Sequence, residues 1–175
     1  MRLTIEEMMQ VESATAELAK MAQQVSAKEA AAKQAAVNEA AKEFKAYFAA
    51  KKFEITGGAW NIVATYGSIV FKLAIKNSTA GGLDCLTLIY PDMVKLPPLD
   101  VRLEAKPEKT PAAATTPAAE QSPLAEVRAK IDKMLERLNA PPREWFFYAM
   151  VPDRSGTAQR KDYATFTRFL IEECP

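Results

Sequence analysis

TIEEMMQVESATAELAKMAQQVSAKEAAAKQAAVNEAAKEFKAYFAAKK, Thr4 to Lys52, contains neither Gly nor Pro and is dominated by Ala, Glu, Lys, Gln and Met. These residues disfavour a helix least, so the stretch predicts one helix of roughly 48 residues. At about 1.5 Å of rise per residue it would be roughly 70 Å long, about twice the diameter of a domain of this size. Part of it is therefore expected to project or to pair with another chain. Thr4 and Glu7 have capping-box spacing, Glu6 adds negative charge at the dipole's positive end, and Lys51 and Lys52 supply the opposite sign at the far end.

One apolar stripe follows the helical period: Leu3, Met8, Val11, Ala14, Leu18, Met21 with Ala22, Val25, Ala32, Ala36, Ala40, Phe44 and Tyr47 with Phe48. It is interrupted near Lys28 and Glu29. The alanine-rich middle fits either a solvated spacer held by pairs such as Glu29 with Lys33 and Glu39 with Lys42, or a close helix–helix contact. Contact is favoured, because long helices in water owe most of their stability to packing. Val11, Leu18, Met21, Val25, Ala32, Ala36 and Ala40 are thus the candidate self-association residues of a coiled-coil homodimer. Ser26 and Glu29 also have capping-box spacing and leave open a break near Val25.

After Lys52 the period changes to alternation, punctuated by Gly57-Gly58, Tyr66-Gly67-Ser68 and Asn77 to Gly82. The pattern predicts an antiparallel meander: Phe53–Thr56, Trp60–Thr65, Ile69–Lys76, Leu83–Tyr90, and Val101–Ala105 as an edge strand after Pro97-Pro98. In the third strand Ile69, Phe71, Leu73 and Ile75 share one face, which Phe44, Tyr47 and Phe48 are suited to cover. The fold class expected is α+β, a long N-terminal helix followed by a four- or five-stranded antiparallel meander. Residues 106–121, rich in Pro, Ala and Thr, read as a flexible linker between a unit at 1–105 and a small unit at 122–175, mostly helical or α/β. In that last unit Ser122-Pro123 starts a helix with Leu124, Val127, Ile131, Met134, Leu135 and Leu138 on one face. Trp145 to Val151 fits a buried strand or a short helix equally, and Tyr163, Phe166, Phe169 and Leu170 mark a final helix. Trp60 and Trp145, each in or beside an apolar run, are expected in the core.

The chain has 175 residues, 49% of them hydrophobic and 26% charged, with a net charge of +1. Such a balance argues against blanket attraction to nucleic acid or anionic membranes. Cys85 and Cys174 form no metal spacing or disulfide framework, which suits a reducing cytoplasm. The first residues lack a signal-peptide core and no segment approaches a membrane span, so neither export nor a span is expected. With no histidine, His-based triads and zinc sites cannot be built from this chain alone. No Gly-rich phosphate loop can be traced either. Asp84, Asp92, Glu172 and Glu173 read as solvated charges, and no catalytic, cofactor-binding or metal residues are assigned. Arg154, Arg160, Lys161, Tyr163 and Arg168 form the densest basic feature near aromatics, a candidate contact for phosphates or an acidic partner.

Two functions follow. The favoured one is a non-enzymatic protein–protein interaction or assembly protein, dimeric through its long helix, with a protein partner and no cofactor. A small phage or plasmid accessory protein acting on a host complex has this general style. The alternative is a nucleic-acid-binding accessory protein, contacting phosphates through Lys33, Lys42 and Lys45 or the Arg154–Arg168 segment.

Overall fold

The structure, a computed structural model, describes residues 4–76, 85–106, 122–152 and 157–174. The chain divides into two compact units, Met1–Ala32 with Pro107–Arg143 and Lys33–Lys106 with Glu144–Pro175. The linker expected over 106–121 lies, except for Lys106, outside the described residues.

Helix α1 runs unbroken from Ile5 to Ala50. The capping box forms as the spacing requires: the Thr4 amide donates to Glu7 Oε2 at 2.8 Å and the Glu7 amide to Thr4 Oγ1 at 3.2 Å. Ser26 and Glu29 do not break the helix. At its far end Lys52 turns left-handed (φ 67°), while the Lys52 amide bonds Ala49 O and the Phe53 amide bonds Phe48 O. That Schellman pattern satisfies the last carbonyls and aims the chain into the sheet.

The sheet has seven strands, not four or five: β1 Glu54–Gly57, β2 Asn61–Tyr66, β3 Ile69–Lys76, β4 Cys85–Ile89, β5 Leu99–Ala105, β6 Trp145–Pro152 and β7 Ala158–Tyr163. All pairs are antiparallel and the spatial order is the chain order. Each strand is thus added by a simple reversal. Gly57 (φ 98°) is required in the first reversal, where an added Cβ would stand 2.1 Å from Asn61 O. Gly67 (φ 59°) opens the two-residue turn between Tyr66 and Ile69, the position at which a type II′ hairpin turn needs a positive φ.

One sequence expectation is corrected here. Val101–Ala105 belongs to an interior strand, paired with β4 on one side and β6 on the other, because Pro97 and Pro98 precede the strand and cost it no ladder donor. The segment after residue 122 also supplies strands: β6 and β7 complete the same sheet, and α3, Phe166–Glu173, closes over it. Leu83 and Asp84, placed in the fourth strand from sequence, lie outside the described residues.

One sheet face holds the core: Ile62 and Ala64, Phe71, Leu73 and Ile75, Leu86 and Leu88, Val101 and Leu103, Phe147 and Ala149, and Tyr163. From α1, Val37, Ala40, Phe44 and Phe48 pack on it at helical spacing; from α3 come Phe166, Phe169 and Leu170. Phe48 is the hub of an aromatic cluster, with ring centroids 4.7 Å from Phe44, 4.8 Å from Phe71 and 5.1 Å from Phe53. The opposite face is mixed, carrying Lys72, Lys76, Arg102 and Asp162 among apolar residues such as Val63, Val70 and Ile89. Trp60, expected in the core, is 49% exposed. Trp145 packs against the core edge.

Candidate functional site

In the first unit, α2 (Pro123–Asn139) starts as its sequence implies, with Ser122 Oγ accepting from the Ala125 amide and Pro123 in the first turn. Buried or half-buried apolar positions recur with a 3-4 alternation on both helices. They are Val11, Ala14, Leu18, Met21 and Val25 on α1, and Leu124, Val127, Ile131, Met134 and Leu138 on α2. This is the a/d spacing of a coiled coil. Lys28 and Glu29 fix the register. Lys28 Nζ donates to Leu138 O at 2.7 Å, Ala140 O at 2.5 Å and Arg137 O at 3.4 Å, and Glu29 pairs with Arg137 at 2.9 Å. Because the C-terminal end of α2 meets Lys28 and the whole of α2 belongs with residues up to Ala32, the two helices run parallel, with Val11 level with Leu124 and Val25 level with Leu138. Arg137 and Glu29 then take the g and e′ positions that a parallel pair brings together.

The seven candidate self-association residues divide between the two units, Val11 to Ala32 in the first and Ala36 and Ala40 in the second. Val25 is buried and Val11, Leu18 and Met21 are half-buried, on the α1 stripe whose spacing matches that of α2, and Ala40 is fully buried in the sheet core with Ala36 beside it. Ala32 is half-buried at the end of the first unit. An alanine enclosed in the core cannot also meet a second copy. Lys28, which looked like a gap in the stripe, sits at a d position and neutralises the carbonyl end of α2. Lys28→Ala is expected to destabilise the helix pair by about 1–2 kcal/mol. Hydrogen exchange should show lost protection confined to the last turn of α2.

What the stripe leaves open is the flank of α1. An open groove of about 550 Å³ is lined by Met8, Val11, Glu12, Thr15, Ala16 and Ala19. Ile5, Met8 and Met9 are exposed beside it, Ile5 by 72%. Along this flank from Ile5 to Ser26, which includes Ala22 and Gln23, Glu12 is the single charge, in a chain that is 26% charged. No described helix is long and apolar enough to cross a membrane.

The basic segment of the second unit is occupied internally. Arg160 bonds Asp162 at 2.8 Å and Glu104 at 2.5 Å and lies 4.2 Å from the Tyr148 ring centre. The hydrogen bonds to Asp162 and Glu104 raise the guanidinium pKa further. Lys161 Nζ reaches Glu173 at 2.8 Å, a bond that raises its pKa, and Arg168 reaches Glu172 at 2.6 Å. Tyr163 is buried, its hydroxyl donating to Glu173 at 2.7 Å, so it is not available to stack on a base. Burial and then that carboxylate raise the Tyr163 pKa. Arg154 lies outside the described residues. These pairs leave little free positive charge for phosphates. The sequence did not reveal this pairing, because Glu104 and Glu173 come from distant β5 and α3.

Cys174, at the end of α3, packs against the core, and burial first, then the charge of Glu173, push its thiol up to about 12. Thiolate is the reactive form. Site-resolved alkylation at pH 8 should therefore label Cys174 at least tenfold more slowly than a free cysteine. The difference should vanish in denaturant.

Comparison with protein-family models, with curated proteins and with solved structures yields no match to this chain.

Proposed function

We infer that this chain is a non-enzymatic assembly protein that dimerises through the exposed flank of α1. The observation that carries the reading is the apolar groove along Met8 to Ala19, bordered by exposed Ile5 and Met9. Its occupant is a second copy, because the flank is complementary to itself. Its large residues, Ile5 and Met8, lie at one end and its small ones, Ala19 and Ala22, at the other. A two-fold axis between Ser13 and Ala14, with the two α1 helices antiparallel, sets Ile5 opposite Ala22, Met8 opposite Ala19 and Glu12 opposite Thr15. Each bulky side chain then meets a small one, as an isologous interface requires. The lack of histidine throughout the chain fits a role without acid–base chemistry near neutral pH.

Light scattering on the full chain tests the reading. A mass twice the 19.3 kDa of one chain is expected at micromolar concentration, falling on dilution. A single-chain mass at every concentration would remove it. The full chain is the appropriate sample, since ending it before Pro107 would also delete β6 and β7 from the sheet.

A further inference from the structure

The second unit holds a pocket independent of the α1 flank. It has a volume of about 290 Å³ at the sheet end where β4, β5, β6 and α3 meet, walled by Pro97, Pro98, Leu99, Met150 and Val151, with Tyr90 and Glu173 as its polar residues. Tyr90 is 93% buried, being only 7% exposed. Among the described residues nothing bonds its hydroxyl. The Glu173 side chain is 10% exposed, and Lys161 and Tyr163 both donate to its Oε1. Oε2 has no such partner among those residues. Neither atom is sealed in: the buried side-chain polar atom left without a partner among the described residues is Trp145 Nε1. The hydroxyl and the second carboxylate oxygen are therefore accessible, on two residues that line the pocket.

The charges decide what fits. Lys161 already compensates Glu173 at 2.8 Å, so a second cation gains little and must lose its own water. An anion would meet the carboxylate. Burial, reinforced by the neighbouring Cys174 and Glu173, raises the Tyr90 pKa, so its hydroxyl is a donor at neutral pH. A donor and an acceptor, both uncompensated by hydrogen bonds, thus sit in an apolar pocket large enough for a handful of heavy atoms.

We propose that this pocket binds an uncharged primary carboxamide on a short apolar group, its N–H donated to Glu173 Oε2 and its carbonyl accepting from the Tyr90 hydroxyl. The group can come from a free small amide or from a glutamine side chain of a peptide.

The test is a titration of the ¹⁵N-labelled full chain, followed at the Leu99 and Val151 amides. The probes are isovaleramide, N-acetylglutamine methylamide, isovalerate and isoamylammonium. Saturable shifts with isovaleramide are expected, at least fivefold tighter than with either ion. If the glutamine probe binds as well, a peptide is the source; if isovaleramide alone binds, a free amide is. Tyr90→Phe removes a hydroxyl with no partner to lose, so it should keep the melting temperature while weakening isovaleramide about five- to tenfold. Absent shifts with both amides, tighter binding of either ion, or unchanged affinity in Tyr90→Phe would each overturn the proposal.

Discussion

Ala19→Arg is expected to abolish the proposed dimer and leave the chain monomeric. In the proposed antiparallel arrangement Ala19 receives Met8 of the second copy, and a guanidinium there must be buried against that apolar side chain. Such a burial costs about 3 kcal/mol or more, roughly a hundredfold in the dimer dissociation constant. Ala19 is exposed in the single chain, and Arg is a good helix former, so the fold itself should be indifferent to the change. Sedimentation equilibrium gives the association constant, and circular dichroism checks that helix content is preserved. A variant that dimerises as tightly as the natural chain would show that the flank is not the interface.

Phe48→Ala is expected to remove about 3–5 kcal/mol of folding stability. The side chain is 1% exposed and contacts rings from its own helix, from the turn after it and from β3. It therefore joins the helix to the sheet as well as filling space. A loss of that size is a large part of the 5–15 kcal/mol that holds a typical domain together. Guanidinium unfolding monitored at 222 nm measures it, with Lys45→Ala, on the exposed side of the same helix, changing stability by less than about 0.5 kcal/mol. A cost under about 1 kcal/mol for Phe48→Ala would mean that the cluster is not the centre of the core.

The parts of the fold legible from sequence are those where a local rule had no competitor. With no Gly or Pro from Thr4 to Lys52, α1 could be bounded within a few residues, and β3, with apolar residues at 69, 71, 73 and 75, matched end to end. β7 was missed because Ala158-Gln-Arg-Lys-Asp-Tyr163 has no apolar alternation. It is an edge strand, where charge discourages further pairing. The contact between α1 and α2 was hidden for a subtler reason. The α1 stripe was correctly seen as needing cover, but the covering helix lies more than a hundred residues away. Lys28 and Glu29, which mark the contact, looked like interruptions because charged residues carry no apolar signal. The surface proposed for a second copy lies a quarter-turn around the helix from that stripe, at Met8 and Ala19. The polar pair of the sheet-end pocket was equally hidden, since Tyr90 and Glu173 are joined only by the sheet's order.

That order bears on how the protein is made. Because neighbours in the sheet are neighbours in the chain, β1 to β5 can assemble as they leave the ribosome, but β6 begins only at Trp145, some forty residues after β5 ends at Ala105. At about 5–20 residues per second, translation leaves β5 as a bare border for roughly 2–8 s. During that interval the nascent protein presents an unpaired ladder of backbone groups to every other chain being synthesised nearby.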